Sequence, residues 1–157
     1  MLFRSVCCTH LHVDHVGWNT QLVDGTWVPT FPNARYLFSQ AELDHLRHEL
    51  SELDSDDTFG AVNAKTYEDS VAPILQQADL ITENQALAQT GIELLLTPGH
   101  TPGSMTLRLT SETHPIYFTG DVCHHPIQML YPDMNSAYCQ IPKAAVATRR
   151  EIGRAHV

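Results

Sequence analysis

Residues Thr9-His10-Leu11-His12-Val13-Asp14-His15 place three imidazoles and one carboxylate in the six positions from His10 to His15. Few arrangements tolerate such a run. Side chains grouped so tightly repel one another or strand buried polarity unless a cation holds them, and a merely solvated loop accounts for them poorly. In an extended segment His10 and His12 project to the same side. If the chain then turns, Asp14 and His15 face a second position close to the first. Neutral imidazole and carboxylate are ligands that zinc prefers, and they also suit iron and manganese. The short, apolar, β-prone stretch Val6 to Thr9 reads as the strand that delivers this metal-binding loop.

The rest of the chain supplies a framework of strands with helices between and outside them. Val16 to Val23 is expected to continue from the loop as a helix or turn. Ala34 to Phe38 reads as a strand. Ser39 then opens a helix: with Glu42 it fits a capping box, and Leu43, Leu46 and Leu50 follow at helical spacing. Asp54 to Asp57 reads as an acidic loop and Tyr67 to Leu80 as a second helix. Ile92 to Thr97, Met105 to Thr110 and Pro115 to Thr119 read as strands, with a turn at Ser111 to His114, and a helix is expected from Ala144 onward. With 157 residues, 43% hydrophobic and 17% charged, the chain suits one domain with a packed core of layered sheets and helices.

Charge narrows the partners. Nine Lys and Arg against 18 Asp and Glu give a net charge of −9, which disfavours nucleic-acid backbones and anionic membrane surfaces. No apolar run approaches the ~20 residues that span a bilayer, and the N-terminus shows no basic segment followed by an apolar stretch. A small-molecule substrate is the expected partner; the oligomeric state is left open. Cys7, Cys8, Cys123 and Cys139 show no CxxC spacing and read as reduced, mostly buried thiols of a cytoplasmic chain.

Two later motifs complete the pattern. In Thr97-Pro98-Gly99-His100-Thr101-Pro102-Gly103-Ser104, Pro and Gly bracket a lone His in a tight turn after a strand, which fixes an imidazole rigidly. In Phe118-Thr119-Gly120-Asp121 a carboxylate follows an apolar strand behind a Gly. Together, HxHxDH, the Pro-Gly-His turn and Gly-Asp resemble the metallo-β-lactamase-fold hydrolases over nearly the whole chain. The resemblance implies an α/β (α+β) fold, the αββα metallo-β-lactamase sandwich, here incomplete. It implies a single such domain over residues 1–157 and two divalent metal ions, zinc being the first choice. Carried over by position, His10, His12 and His100 hold the first metal, Asp14 and His15 the second, and Asp121 bridges both. The family's last ligand, a further His after the bridging Asp, has no clear counterpart. His124 and His125 come too soon, and His156 lies in the terminal tail.

His15-Val-Gly-Trp-Asn19, Val28-Pro-Thr-Phe-Pro32, Tyr36-Leu-Phe-Ser-Gln40 and Gly120-Asp-Val-Cys-His-His-Pro-Ile-Gln128 are similar to the branch near the acyl-homoserine lactonases and methyl parathion hydrolase. Zinc β-lactamases are less similar, since many use a Cys where Asp121 stands; Cys123 is read as a core residue. The resemblance implies a hydrolase in which a hydroxide activated by two metals attacks an ester, lactone or similar small molecule, with Asp14 as proton acceptor. No GxSxG occurs. Phosphotriester or thioester hydrolysis, as in glyoxalase II, is the enzymatic alternative. A di-iron redox protein of the same fold is another, against which stands the lack of a flavin-binding segment. A metal-binding but catalytically dead domain is the third.

Some residues carry plainer readings. His45 and His48 are expected on an exposed helix face, the acidic run Asp54, Asp56, Asp57 in solvent, and His124 and His125 near the pocket. Trp18, Trp27 and Phe31 either line a substrate pocket or pack the core. The termini read as foreign. Met1-Leu-Phe-Arg-Ser5 can be encoded by GTG CTC TTC CGA TCT, whose reverse complement, in a shifted frame, encodes Glu151-Ile-Gly-Arg-Ala-His156. The DNA string resembles a sequencing-library adapter, so about residues 6–150 are expected to be natural sequence, cut from a longer gene. A fragment of that kind is expected to hold its second metal weakly and to be a poor catalyst.

Overall fold

The computed structural model describes residues 4–54 and 56–154; His156 and Ser55 of the acidic run lie outside them. The chain divides into two compact units, Met1–Ile81 and Thr82–Val157.

In the first unit, β1 (Ser5–Cys7), β4 (Arg35–Ser39) and β5 (Ala78–Ile81) form a parallel sheet in the order β1-β4-β5. Val6 pairs with Tyr36 and Tyr36 with Ala78. The central strand β4 is buried from Tyr36 to Ser39, as expected of a parallel strand covered on both faces. Between β1 and β4 lie α1 (Val13–Val16) and an antiparallel hairpin of β2 (Thr20–Val23) and β3 (Thr26–Pro29). The stretch expected to continue to Val23 as helix or turn is therefore a strand from Thr20. The two-residue turn Asp24-Gly25 causes this: both adopt positive φ, 49° and 80°, the requirement of the hairpin turn that matches strand twist.

The helix α2 (Gln40–Ser51) starts as the capping pattern predicts, with Ser39 Oγ accepting from Glu42 N at 3.0 Å. The second helix begins earlier than expected. Asp57 Oδ1 accepts from Phe59 N and Gly60 N at 3.0 and 2.9 Å and opens α3 (Thr58–Thr66), so one carboxylate of the acidic run is a helix cap. The helix continues as a π-helical segment, Tyr67–Val71, and a 3-10 segment, Ala72–Gln77. It then stops, and Leu80 pairs with Phe38 in the parallel sheet. The helix expected through Leu80 therefore ends at Gln77, because Ala78–Ile81 pairs with β4 instead. Cys8, Leu11, Val16, Tyr36, Phe38, Leu43, Leu46, Val71 and Ile74 form the buried cluster of this unit.

The second unit is built on an antiparallel meander, β6 (Gln85–Leu87), β7 (Ile92–Leu96), β8 (Met105–Leu109) and β9 (Ile116–Phe118), paired in chain order. The last three match the expected strands. The short β6 was not anticipated; it pairs Ala86 with Glu93 through a tight turn in which Gln89 and Gly91 take φ of 63° and 71°. A 3-10 turn (Gly120–Val122), α4 (Ile127–Leu130) and α5 (Pro142–Arg154) follow. The last helix starts at a Pro, whose missing N–H costs nothing in the first turn. Leu94, Met105, Val122, Ala145 and Ile152 are buried in this unit. Among the described residues no helix is long and apolar enough to cross a membrane.

Candidate metal centre

The first unit gathers the HxHxDH residues beyond β1. His12 takes extended backbone angles (φ −68°, ψ 154°) and immediately precedes α1; His15 N donates to His12 O at 3.0 Å. The strand expected from Val6 to Thr9 ends at Cys7, and Thr9 and His10 lie in a bend, so of the expected extended segment only His12, just before the turn into α1, shows extended angles. The His10 ring lies 4.7 Å from that of His12 and 4.0 Å from that of His15, centroid to centroid. Asp14 Oδ2 stands 3.5 Å from His15 Nε2, with its side chain 74% exposed. His10 is buried, and Thr9 Oγ1 lies 3.1 Å from its Nδ1. The tautomer in which Nδ1–H donates to Thr9 leaves Nε2 with the lone pair that could take a metal.

Residues that the motif does not contain hold this loop. Glu42, buried in the first turn of α2, accepts from Leu11 N through Oε1 at 3.0 Å. Asn19, also buried, receives Cys8 Sγ–H at 3.4 Å and donates Nδ2–H to Ser70 O at 3.3 Å. Thr20 Oγ1 donates to Asp69 O at 2.7 Å. Both carbonyls belong to the π-helical segment, where the regular helix ladder is interrupted and carbonyls can take side-chain donors; such segments recur at functional sites. Burial pushes the Cys7 thiol up to about 12 and the Cys8 thiol up to about 11, so both stay protonated and inert at neutral pH.

The second unit places His100 and Asp121 together. His100 Nε2 is 3.5 Å from Asp121 Oδ2, and His100 is buried. The His100 turn is fixed from several sides. Thr97 N donates to Ser104 O at 2.8 Å across its base, and Gly99 N to Thr101 O at 2.9 Å. Thr101 Oγ1 and Ser104 Oγ are 2.6 Å apart, and Thr148 Oγ1 donates to Pro98 O at 2.8 Å. Gly99 has a φ of +150°, and a Cβ there would meet the Cα and N of Ala145 at 2.4 Å. Glycine is required by both conformation and space.

Two buried residues that sequence reasoning missed hold the Asp121 segment. Arg149 donates Nε–H to Pro132 O at 2.9 Å and Nη1–H to Val122 O at 3.1 Å, and its Nη2 bonds Asn135 Oδ1. Gln128 Oε1 accepts from His124 N at 2.7 Å and His125 N at 3.2 Å, while its Nε2 donates to Met134 O at 2.7 Å. Arg149 shares the buried face of α5 with Ala145, Thr148 and Ile152, and Gln128 closes the motif that begins at Gly120, but neither position by itself announces a brace. His124, expected near the pocket, packs its ring 4.8 Å from that of His100, with Nε2 at 3.4 Å from Asp121 Oδ2. His125 instead turns Nδ1 to accept from Ile127 N at 3.1 Å.

The plainer readings divide. His48 is exposed, whereas His45 is partly buried, with Nε2 3.2 Å from Glu49 Oε1. Phe31 packs against the first unit's core. Trp18 is 80% exposed, so core packing does not explain it. Cys123 is only partly buried, with its Sγ 3.3 Å from Met129 Sδ. All four cysteines are free thiols.

The family model of the metallo-beta-lactamase superfamily matches residues 4–151. Among solved structures, the chain is similar to hydrolase AbOPH of the beta lactamase superfamily, at 26% identity and a TM-score of 0.78, covering 95% of this chain and 51% of that one. It is similar to AidC, a dizinc quorum-quenching lactonase, at 21% identity and a TM-score of 0.74, covering 94% and 51%. An AiiA variant from B. thuringiensis with N-decanoyl-L-homoserine in its active site matches at 20% identity and a TM-score of 0.66, covering 98% and 50%. The chain therefore spans about half the length of the structures it matches. No curated protein matches.

Proposed function

Because the chain belongs to the metallo-β-lactamase superfamily, we propose that it is a metal-dependent hydrolase acting on an ester, lactone or related small molecule. The carrying observation is the assembly of imidazoles and carboxylates in each unit: His10, His12 and His15 with Asp14 in one, His100 with Asp121 in the other. Read on the family pattern, these would be parts of one dinuclear centre. His10, His12 and His100 would hold one ion, Asp14 and His15 the other, and Asp121 would serve both. The donor chemistry fits divalent zinc, because every ligand is a neutral imidazole or a carboxylate.

When bound, two such ions supply a water of lowered pKa and positive charge at the oxygen that becomes anionic during attack. The chain's own residues do the rest. Asp14, on the exposed side of its loop, takes the proton. Glu42, Asn19 and Thr20 keep the His10–His15 loop from relaxing. Gly99 and the bonds around it fix the His100 turn, and Arg149 fixes the carbonyl next to Asp121. Such preorganisation keeps the ligands in place without reorganisation during the reaction. The family match over residues 4–151 supports reading the chain as one domain of this type.

The test is a metal-controlled substrate panel. The purified chain, loaded with zinc, is assayed against a lactone, a carboxylic ester, a phosphotriester and a thioester, then after chelation and after zinc is restored. Lactone or ester hydrolysis that disappears with chelation and returns with zinc supports the proposal. A preference for the phosphotriester or thioester replaces the substrate class, and hydrolysis indifferent to chelation refutes the metal chemistry.

A further inference from the structure

We propose that His100, His124 and Cys139 form a thiolate-containing metal site lying wholly within the Thr82–Val157 unit and suited to a thiophilic cation such as zinc or cadmium. The hydrolytic ligand set has no use for Cys139 or His124. Yet a ring nitrogen from each of the two histidines and the Cys139 Sγ all lie within 4.8 Å of one another. Donors around one tetrahedral zinc, at Zn–N of about 2.0–2.1 Å and Zn–S of about 2.3 Å, stand roughly 3.3–3.8 Å apart. Small side-chain rotations therefore close the triad on an ion.

The approach of the three donors follows from backbone held on each side. Gln140 N donates to His100 O and Ile141 N to Gly99 O, both at 2.9 Å. These two bonds lay the segment after Cys139 along the His100 turn and bring the thiol to the imidazole. Cys139 N is itself tied to Ser136 O at 3.2 Å. His124 arrives from a third direction, its amide held by Gln128 Oε1. The donors come from three separate loops, none of which needs to refold to bind an ion. Asp121 Oδ2, 3.4 Å from His124 Nε2, stands beside the triad as a fourth donor.

Access and chemical preference are also built in. Cys139 and His100 are buried, whereas the His124 side chain is 24% exposed, so an ion enters on the His124 side. A set of two imidazoles and one thiolate prefers softer cations than a set of imidazoles and carboxylates. The two sets share His100. A thiophilic ion held by Cys139 and His124 therefore competes with the hydrolytic metal for that imidazole, and cadmium is expected to inhibit. The binding site itself does not rest on the hydrolytic reading, because all its donors lie in one unit.

The experiment is titration of the purified chain with Co(II) and Cd(II), following the ultraviolet sulfur-to-metal charge-transfer absorption. One equivalent of ion should raise the band. Cys139→Ser should abolish it with the far-ultraviolet circular dichroism unchanged. His124→Ala, at a partly exposed position, should weaken binding by about 10–100-fold or more, since even partners outside the coordination shell are worth that much. Cys123→Ser and Cys7→Ser should keep the band. His12→Ala, which removes a ligand of the proposed hydrolytic centre, should also keep it, so failure of the hydrolytic reading is distinguishable from failure of this one. Absence of the band in the unsubstituted chain, its survival in Cys139→Ser, undiminished affinity in His124→Ala, or its loss in His12→Ala would each overturn the proposal.

Discussion

Replacing Gly99 with Ala probes how the His100 turn is held. A Cβ at this position would stand 2.4 Å from the Cα and N of Ala145 and 2.8 Å from its Cβ. Two of these are backbone atoms inside α5 and cannot swing aside as a long side chain would. Overpacking of this kind costs about 1–3 kcal/mol. A non-glycine residue at a φ of +150° adds a conformational penalty of about 1–3 kcal/mol. The sum is about 2–6 kcal/mol, and at roughly 2–4 °C per kcal/mol for a chain of this size the melting temperature should fall on the order of 10 °C. The same clash pushes α5 from the turn and strains the Ile141 N–Gly99 O and Gln140 N–His100 O bonds, so zinc affinity should fall as well. Thermal unfolding by circular dichroism, with zinc titration of each variant, reads both effects. Gly17 is the control: its φ is −59° and a Cβ there meets nothing within 4 Å. Gly17→Ala should be neutral or stabilise by about 0.4–1 kcal/mol through the unfolded chain. A Gly99→Ala protein that melts within about 1 °C of the parent, despite the expected overpacking cost, would refute the reasoning.

Other perturbations reach different parts of the account. Asp121→Ala should lower metal-dependent hydrolysis on the order of 10²-fold or more while leaving the circular dichroism spectrum in place; near-parental turnover in a zinc-replete variant would remove Asp121 from the mechanism. Arg149→Leu leaves the Pro132 and Val122 carbonyls and the Asn135 amide oxygen without their donor and should destabilise by about 3 kcal/mol or more, measured by urea unfolding. Cys7 and Cys8, with thiols pushed up to about 12 and about 11, should escape alkylation by iodoacetamide at pH 8 and react fully once the chain is unfolded, as mass spectrometry would show. The sign of their pH linkage follows. Their folded values lie above the ordinary thiol value of about 9, so the stability that depends on the neutral thiols is complete below about pH 9 and is lost as pH rises toward 11–12. Cys8→Ala should remove part of that alkaline loss.

The parts legible in the sequence were those where one local pattern decides the structure. Ser39 and Glu42 announced the start of α2, and the apolar runs from Ile92, Met105 and Pro115 became neighbouring strands. Misreadings arose where two patterns competed. The second helix was expected to run to Leu80, but β4 recruits Ala78 to Ile81 as a parallel neighbour, a long-range pairing no local window contains. Asp24-Gly25 is a local hairpin signal, and the expectation of a helix or turn over Val16 to Val23 took no account of it. In the candidate site the ligand types and their spacing were readable, because metal chemistry permits few substitutes. Arg149, Gln128, Asn19 and Glu42 were not, because a buried polar brace looks like any surface polar residue until its partners are known. Cys139 was read as a core thiol for the same reason: its nearness to His100 comes from two backbone bonds, not from sequence distance.

The most direct test of the proposed hydrolytic centre is a crystal structure of the zinc-loaded chain, with anomalous scattering to locate the ions. The account predicts a zinc ion ligated by His10, His12 and His100 at roughly 2.0–2.2 Å, with weaker zinc density at a second position beside Asp14, His15 and Asp121. Zinc density that leaves His10 and His100 on different ions, or that avoids the HxHxDH segment altogether, would contradict it.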